Sequence, residues 1–270
     1  MNKIILLLAA LFVSAMATAQ DSPGMRPELL LSKTVKVKAL TEGELNYQKG
    51  YDAFFEDDKM VNRYAANKNN RTRHDALANR YFKVTDIRPY DSQGIKNYLI
   101  QLQDTVKNES LYYKYTKLSE SQNKYYFEVV GGLKYPDDFY CDYITESTDK
   151  ASGEKKIVAS ITEGLHVVKI KKGKDVKYRL EAVTVEQVIS MLRGVTLVLE
   201  DGRKFERPDA EAVMLTRNDN IVYTATIELT TAEVAMLTQS KVVSGKISKF
   251  EKKYTEGDKL QGMLKCLMKK

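Results

Sequence analysis

Apolar and polar residues alternate along much of this chain. Tyr98, Ile100 and Leu102 fall on one side of the alternation and Leu99, Gln101 and Gln103 on the other, which predicts a strand. The same period of two predicts strands at 81–87, 111–118, 125–130 and 139–144. Turn compositions separate them at 91–94 (Asp-Ser-Gln-Gly), 104–108, 119–123 and Gly131-Gly132. Short strands at this regular spacing predict a small barrel or compact sheet.

A polar run at 146–155 interrupts the pattern, and alternation then returns at 176–182 and 221–229. Asp201-Gly202 between 196–200 and 203–206 is a hairpin signal, and 172–175 (Lys-Gly-Lys-Asp) is a second turn. Two helices are expected near the end. Thr230 followed by Glu233 reads as a capping box, opening a helix to about residue 237. Leu260, Met263, Leu264 and Leu267 lie at i, i+3, i+4 and i+7, one apolar stripe on a terminal helix. Before residue 81 the pattern is weak. Residues 20–44 read as a partly extended leader, and 44–80 as polar and irregular with a short helix near 75–79. The expected fold class is mainly β. A small Tyr-rich sheet or barrel is expected over 45–140, and a β-sandwich closed by the terminal helix over 141–270.

The first residues change the picture of where the chain goes. Lys3 precedes ten uninterrupted apolar residues, 4–13, and Ala17 and Ala19 then supply the small side chains that a signal peptidase reads. The expected signal peptide is 1–19, cut between Ala19 and Gln20. Ten apolar residues are about half of what a bilayer requires. The mature chain is therefore expected to be exported, periplasmic or secreted, without a transmembrane segment.

The formal net charge of +7 is concentrated at the C-terminal end, where residues 241–270 hold nine Lys against Glu251, Glu256 and Asp258. A smaller cluster comprises Lys169, Lys171, Lys172, Lys174 and Lys177. Such patches suit anionic glycan, lipid headgroups or an acidic partner, or serve as solvated faces that blunt sheet edges. The Lys are not interleaved with stacking aromatics, and nucleic acid is a poor partner for an exported chain.

Having only two His leaves almost no room for a His-based metal site or a His-centred catalytic network. His74 and His166 lie far apart with no ligand spacing around them, and His166 reads as a partly buried structural residue. Ser-x-x-Lys occurs at Ser121–Lys124 and Ser152–Lys155, but in predicted turns rather than on a helix. Acidic runs at Glu56-Asp57-Asp58 and Asp137-Asp138 show no facing pair of the kind a glycosidase needs. No cofactor or metal site is expected. Cys141 and Cys266 either form one long-range disulfide in an oxidising compartment or remain two buried thiols. Eleven of the seventeen Tyr fall between 81 and 143. Tyr112, Tyr113, Tyr115, Tyr125 and Tyr126 form a candidate binding face, against the alternative that Tyr simply fills a small sheet.

Several short stretches carry a resemblance: 141–144 (Cys-Asp-Tyr-Ile), Asp149-Lys150 with Gly153-Glu154, 199–202 (Leu-Glu-Asp-Gly) with 208–211, 227–233, and 265–267 (Lys-Cys-Leu). Residues 141–270 resemble a domain of uncharacterised exported proteins from Bacteroidetes bacteria. The resemblance implies a β-rich domain with a C-terminal helix, an envelope or secreted location, and pairing of Cys141 with Cys266; it implies no activity. The expected function is a non-enzymatic exported binding or interaction module of unknown ligand, with envelope glycan or protein as candidate partners. The alternatives are a carboxylate-based hydrolase near residues 136–142 and a structural envelope component held through the Lys-rich C-terminal face.

Overall fold

The computed structural model describes residues 22–116, 125–187, 191–217 and 220–270. The signal-peptide residues, Ala19, Gln20 and the Ser121–Lys124 motif lie outside the described residues. Two compact units divide the chain at 135/136.

The first unit is a six-stranded antiparallel sheet built from β1 (Thr34–Val37), β2 (Phe54–Phe55), β3 (Tyr81–Ser92), β4 (Ile95–Asp104), β5 (Ser110–Thr116) and β6 (Phe127–Val129). Their order is β2-β5-β4-β3-β1-β6. The β3–β4 turn is Gln93-Gly94, both at positive φ, which matches the twist of a tight hairpin. Asp104 starts the β4–β5 turn, its side chain accepting the N–H groups of Val106 (2.7 Å) and Lys107 (2.5 Å).

The expected leader does not stay outside this unit. Val35 and Val37 are fully buried, and β1 pairs with both β3 and β6. A strand with only two apolar residues is too short to declare its period in the sequence. Around it, Thr41 and Glu44 close a capping box on α1 (Glu42–Gln48), and α2 (His74–Leu77) forms where a short helix was expected. Arg80 then ties the region together. It donates to Asp104, Glu109, the Tyr64 hydroxyl (2.8 Å) and the Ala76 carbonyl (2.8 Å) while lying over the Phe82 ring.

The second unit begins with a 3₁₀ turn at Phe139–Tyr143. A strand was expected there. The rings of Phe139, Tyr140 and Tyr143 instead lie 5.0–6.0 Å apart, which their i, i+1 and i+4 spacing allows on a helical turn and an alternating strand does not. Nine strands follow: β7 (Thr145–Thr148), β8 (Lys155–Ile161), β9 (Leu165–Lys172), β10 (Asp175–Glu186), β11 (Leu192–Leu199), β12 (Lys204–Arg217), β13 (Asn220–Leu229), β14 (Val242–Ile247) and β15 (Phe250–Lys253). They hydrogen-bond in one continuous sheet, β15-β14-β11-β12-β13-β10-β9-β8-β7, rather than in two separate sheets.

That sheet curls around α4 (Gly257–Lys269), which packs against β8 and β14 from opposite parts of the strand order and against α3 (Thr231–Gln239). All four members of the predicted stripe, Leu260, Met263, Leu264 and Leu267, are buried in a cluster with Ile157, Leu165, Leu180, Leu197 and Tyr223. The curl is fastened by two carboxylates. Glu163, in the β8–β9 turn, accepts from Thr255 N (2.9 Å) and Thr255 Oγ1 (2.6 Å). Glu256, just before α4, accepts from Thr162 N (2.8 Å). The expected C-terminal helix and the mainly-β class are both present.

Candidate functional site

The Tyr-rich candidate face is largely interior. Tyr113 and Tyr115 are fully buried and Tyr126 is 3% exposed. Tyr113 sits 4.6 Å from the Phe127 ring and 5.0 Å from Phe54. Tyr115 donates to the Gly24 carbonyl at 2.5 Å, and Tyr126 to Asp52 and Gln48, each at 3.1 Å. These three side chains are core, not a ligand surface. The cause is parity: Leu111, Tyr113 and Tyr115 share the inward face of β5, and burying the Tyr115 and Tyr126 hydroxyls is tolerated because each has an acceptor. Tyr112 takes the other face beneath Arg88, and Tyr125 lies partly exposed under Lys38. Tyr125 and Tyr126 line a small hollow of about 360 Å³ with Ser22, Lys38, Leu40 and Glu44.

Cys141 and Cys266 are joined, linking the 3₁₀ turn to α4. The Lys cluster of β9 is partly structural as well. Lys169 is 5% exposed and donates to the Leu267 carbonyl, and Lys171 reaches the Lys270 carbonyl at 2.9 Å. Both therefore supply positive charge to the C-terminal end of α4, where the helix dipole favours it.

His166 is part of a cross-strand row. Ser160 Oγ lies 2.5 Å from His166 Nδ1, and Glu181 is the next residue across. Burial lowers the His166 pKa and Glu181 opposes that shift. Glu181 is itself held by Arg179 at 2.7 Å, so it is not the imidazole's dedicated orienting acid. The acidic runs are turn residues. Asp57 accepts the N–H groups of Lys59 (2.9 Å) and Asn62 (3.3 Å), and Asp137 and Asp138 lie exposed ahead of the 3₁₀ turn. Among the described residues no group of three or more His, Cys, Asp or Glu is placed to hold a metal ion.

A different place in the second unit has the shape and chemistry of a site. The outward side chains of β12, β11, β14 and β15 line an open groove of about 510 Å³. Register builds it from two rows. One runs Lys204–Val198–Ser244–Lys253 across the four strands, and the next runs Glu206–Thr196–Lys246–Glu251. Thr196, Val198 and Ser244 form a partly buried floor, while the charged residues stand exposed around it. Among the described residues, Lys204, Lys246 and Lys253 have no carboxylate within ion-pairing distance. Lys252 also lines the groove, but its ammonium is committed, donating to the Glu163 carbonyl. The groove thus offers three uncommitted ammonium groups, two hydroxyls and two carboxylates.

The sequence shows the Lys excess at this end but not the groove. Its only local trace is parity: Lys204 with Glu206, Ser244 with Lys246, and Glu251 with Lys253 are i, i+2 pairs. Compared with protein-family models, with curated proteins and with solved structures, the chain gives no match.

Proposed function

We propose that this chain is an exported, non-enzymatic binding module that holds an anionic ligand in the groove on β12-β11-β14-β15. The observation that carries the reading is the set of uncommitted ammonium groups, Lys204, Lys246 and Lys253, arranged around a polar floor. A cation with no partner in its own protein keeps its full interaction capacity for a ligand. The N-terminal signal pattern, the resemblance of residues 141–270 to exported proteins and the Cys141–Cys266 disulfide support export. No helix among the described residues is long and apolar enough to cross a membrane.

Heparin, as a generic polyanion, tests the reading by titration over a salt series. Binding should weaken steadily as salt screens the contacts. The triple variant Lys204→Gln, Lys246→Gln, Lys253→Gln should lose about tenfold or more in affinity, since three exposed charge contacts contribute about 0.5 kcal/mol each. Unchanged affinity in the triple variant would remove the groove from consideration.

A further inference from the structure

Resting on the reading of the groove as an anion site, we infer that its ligand is an acidic polysaccharide whose carboxylates are spaced by neutral, hydroxyl-bearing sugars. The argument lies in the spacing and the mixture of charges. Lys204 and Lys253 stand at opposite ends of one row, three strand spacings apart, on the order of 14 Å. Lys246 stands in the adjacent row, two residues along β14 from Ser244 and so about 7 Å from the line of the first row. The cations are therefore spread out rather than clustered on one point.

Between and beside them stand two carboxylates. Glu206 follows Lys204 at i+2 on β12, and Glu251 lies directly across from Lys246. A polymer with a charge on every unit would set its anions against Glu206 and Glu251 as well as against the lysines. Like charges at close range cost what the opposite charges gain. A polymer with sparse charges avoids that conflict. Its carboxylates meet the lysines, and the hydroxyls between them donate to Glu206 and Glu251, which only accept. Thr196 and Ser244 on the floor offer hydroxyls that both donate and accept, and Val198 offers apolar surface to the C–H face of a sugar ring. The groove is open rather than enclosed, which suits a polymer laid across it better than a small molecule sealed inside.

Titration of the whole protein with hyaluronan, poly-L-glutamate and polyphosphate of matched length separates the possibilities. Hyaluronan carries one carboxylate for every two sugars, whereas the other two are charged at every unit. Hyaluronan should bind about tenfold tighter than either. The variant Glu206→Gln, Glu251→Gln should weaken hyaluronan and strengthen polyphosphate. Polyglutamate or polyphosphate binding as tightly as hyaluronan would overturn the polysaccharide inference, and so would a double variant that strengthened all three alike. Loss of all binding in the Lys204, Lys246, Lys253 triple variant, together with either of those results, would leave the groove standing and reject only the polysaccharide. Binding of all three polymers undiminished in the triple variant would reject the groove itself.

Discussion

The ammonium group of Lys169, on β9, donates to the main-chain carbonyl of Leu267 at 3.2 Å, near the C-terminal end of α4. Lys169 is buried and lies over the Tyr178 ring, and burial lowers its pKa. A lysine whose folded pKa is lowered costs stability while charged, and that cost is relieved as pH rises from the folded value toward the unfolded one near 10.4. Thermal unfolding of wild type and Lys169→Met, compared between pH 8 and 10, should show a rise in the wild type relative to the variant. Parallel pH profiles would show that Lys169 titrates as an exposed lysine does.

The buried tyrosines make the opposite prediction in base. Burial pushes the Tyr254 hydroxyl up to about 12 and raises Tyr51, Tyr113 and Tyr126 as well. A hydroxyl whose folded pKa is raised contributes stability that is present below the ordinary value near 10 and lost as pH climbs toward the folded value. Stability should therefore fall steeply above pH 10. Tyrosinate absorbance should show a group of Tyr that appears only with unfolding. A single smooth titration at the ordinary value would contradict the buried assignment.

Tyr113→Ala in the first unit should cost about 3–5 kcal/mol, because the ring is fully enclosed by Phe54, Phe127 and Tyr126. Tyr115→Phe should cost about 1–2 kcal/mol by removing the buried hydrogen bond from Tyr115 to the Gly24 carbonyl. Chemical denaturation checks both. A Tyr113→Ala midpoint equal to wild type would return Tyr113 to the surface.

The disulfide closes a sequence separation of 125 residues, for which chain entropy gives about 4–5 kcal/mol. Cys141→Ser with Cys266→Ser should lower the denaturant midpoint of the second unit accordingly. Tyr140 adds a constraint of its own, since a Cβ at Gly262 would overlap its ring. Gly262→Ala should therefore destabilise the second unit although Ala is the better helix former. A gain in stability would mean that the 3₁₀ turn does not press on α4.

The Glu163–Glu256 clasp predicts acid sensitivity. Burial pushes the Glu163 carboxyl up, but hydrogen bonds from Thr255 and Glu256 outweigh it and hold the group below the ordinary carboxylate range. Glu256 is lowered in the same way by Thr162 and Lys259. A lowered carboxyl contributes stability above its unfolded pKa near 4.3 and loses it as pH falls through the folded value. Glu163→Gln should flatten the decline in melting temperature below pH 5. An unchanged decline would mean that the clasp does not set it.

What the sequence determined by itself was local. Alternation marked β3, β4, β5, β6, β10 and β13, the Asp201-Gly202 turn marked β11 and β12, the Thr230–Glu233 box marked α3, and the Leu260–Leu267 stripe marked α4, because each depends on neighbours within a few residues. Pairing and sidedness were decided only by the tertiary structure. β1 became a strand because β3 and β6 lie on either side of it, and residues 139–143 became a 3₁₀ turn because their rings meet one another and α4. Tyr113 and Tyr115 went to the core because of the face of β5 that the rest of its unit covered. The groove came last, since β14 reaches β11 across more than forty residues of chain, and no local pattern places Lys204, Lys246 and Lys253 around one floor. Long-range register costs loop entropy that only the completed core offsets, so it is a property of the whole fold and not of any window of the sequence.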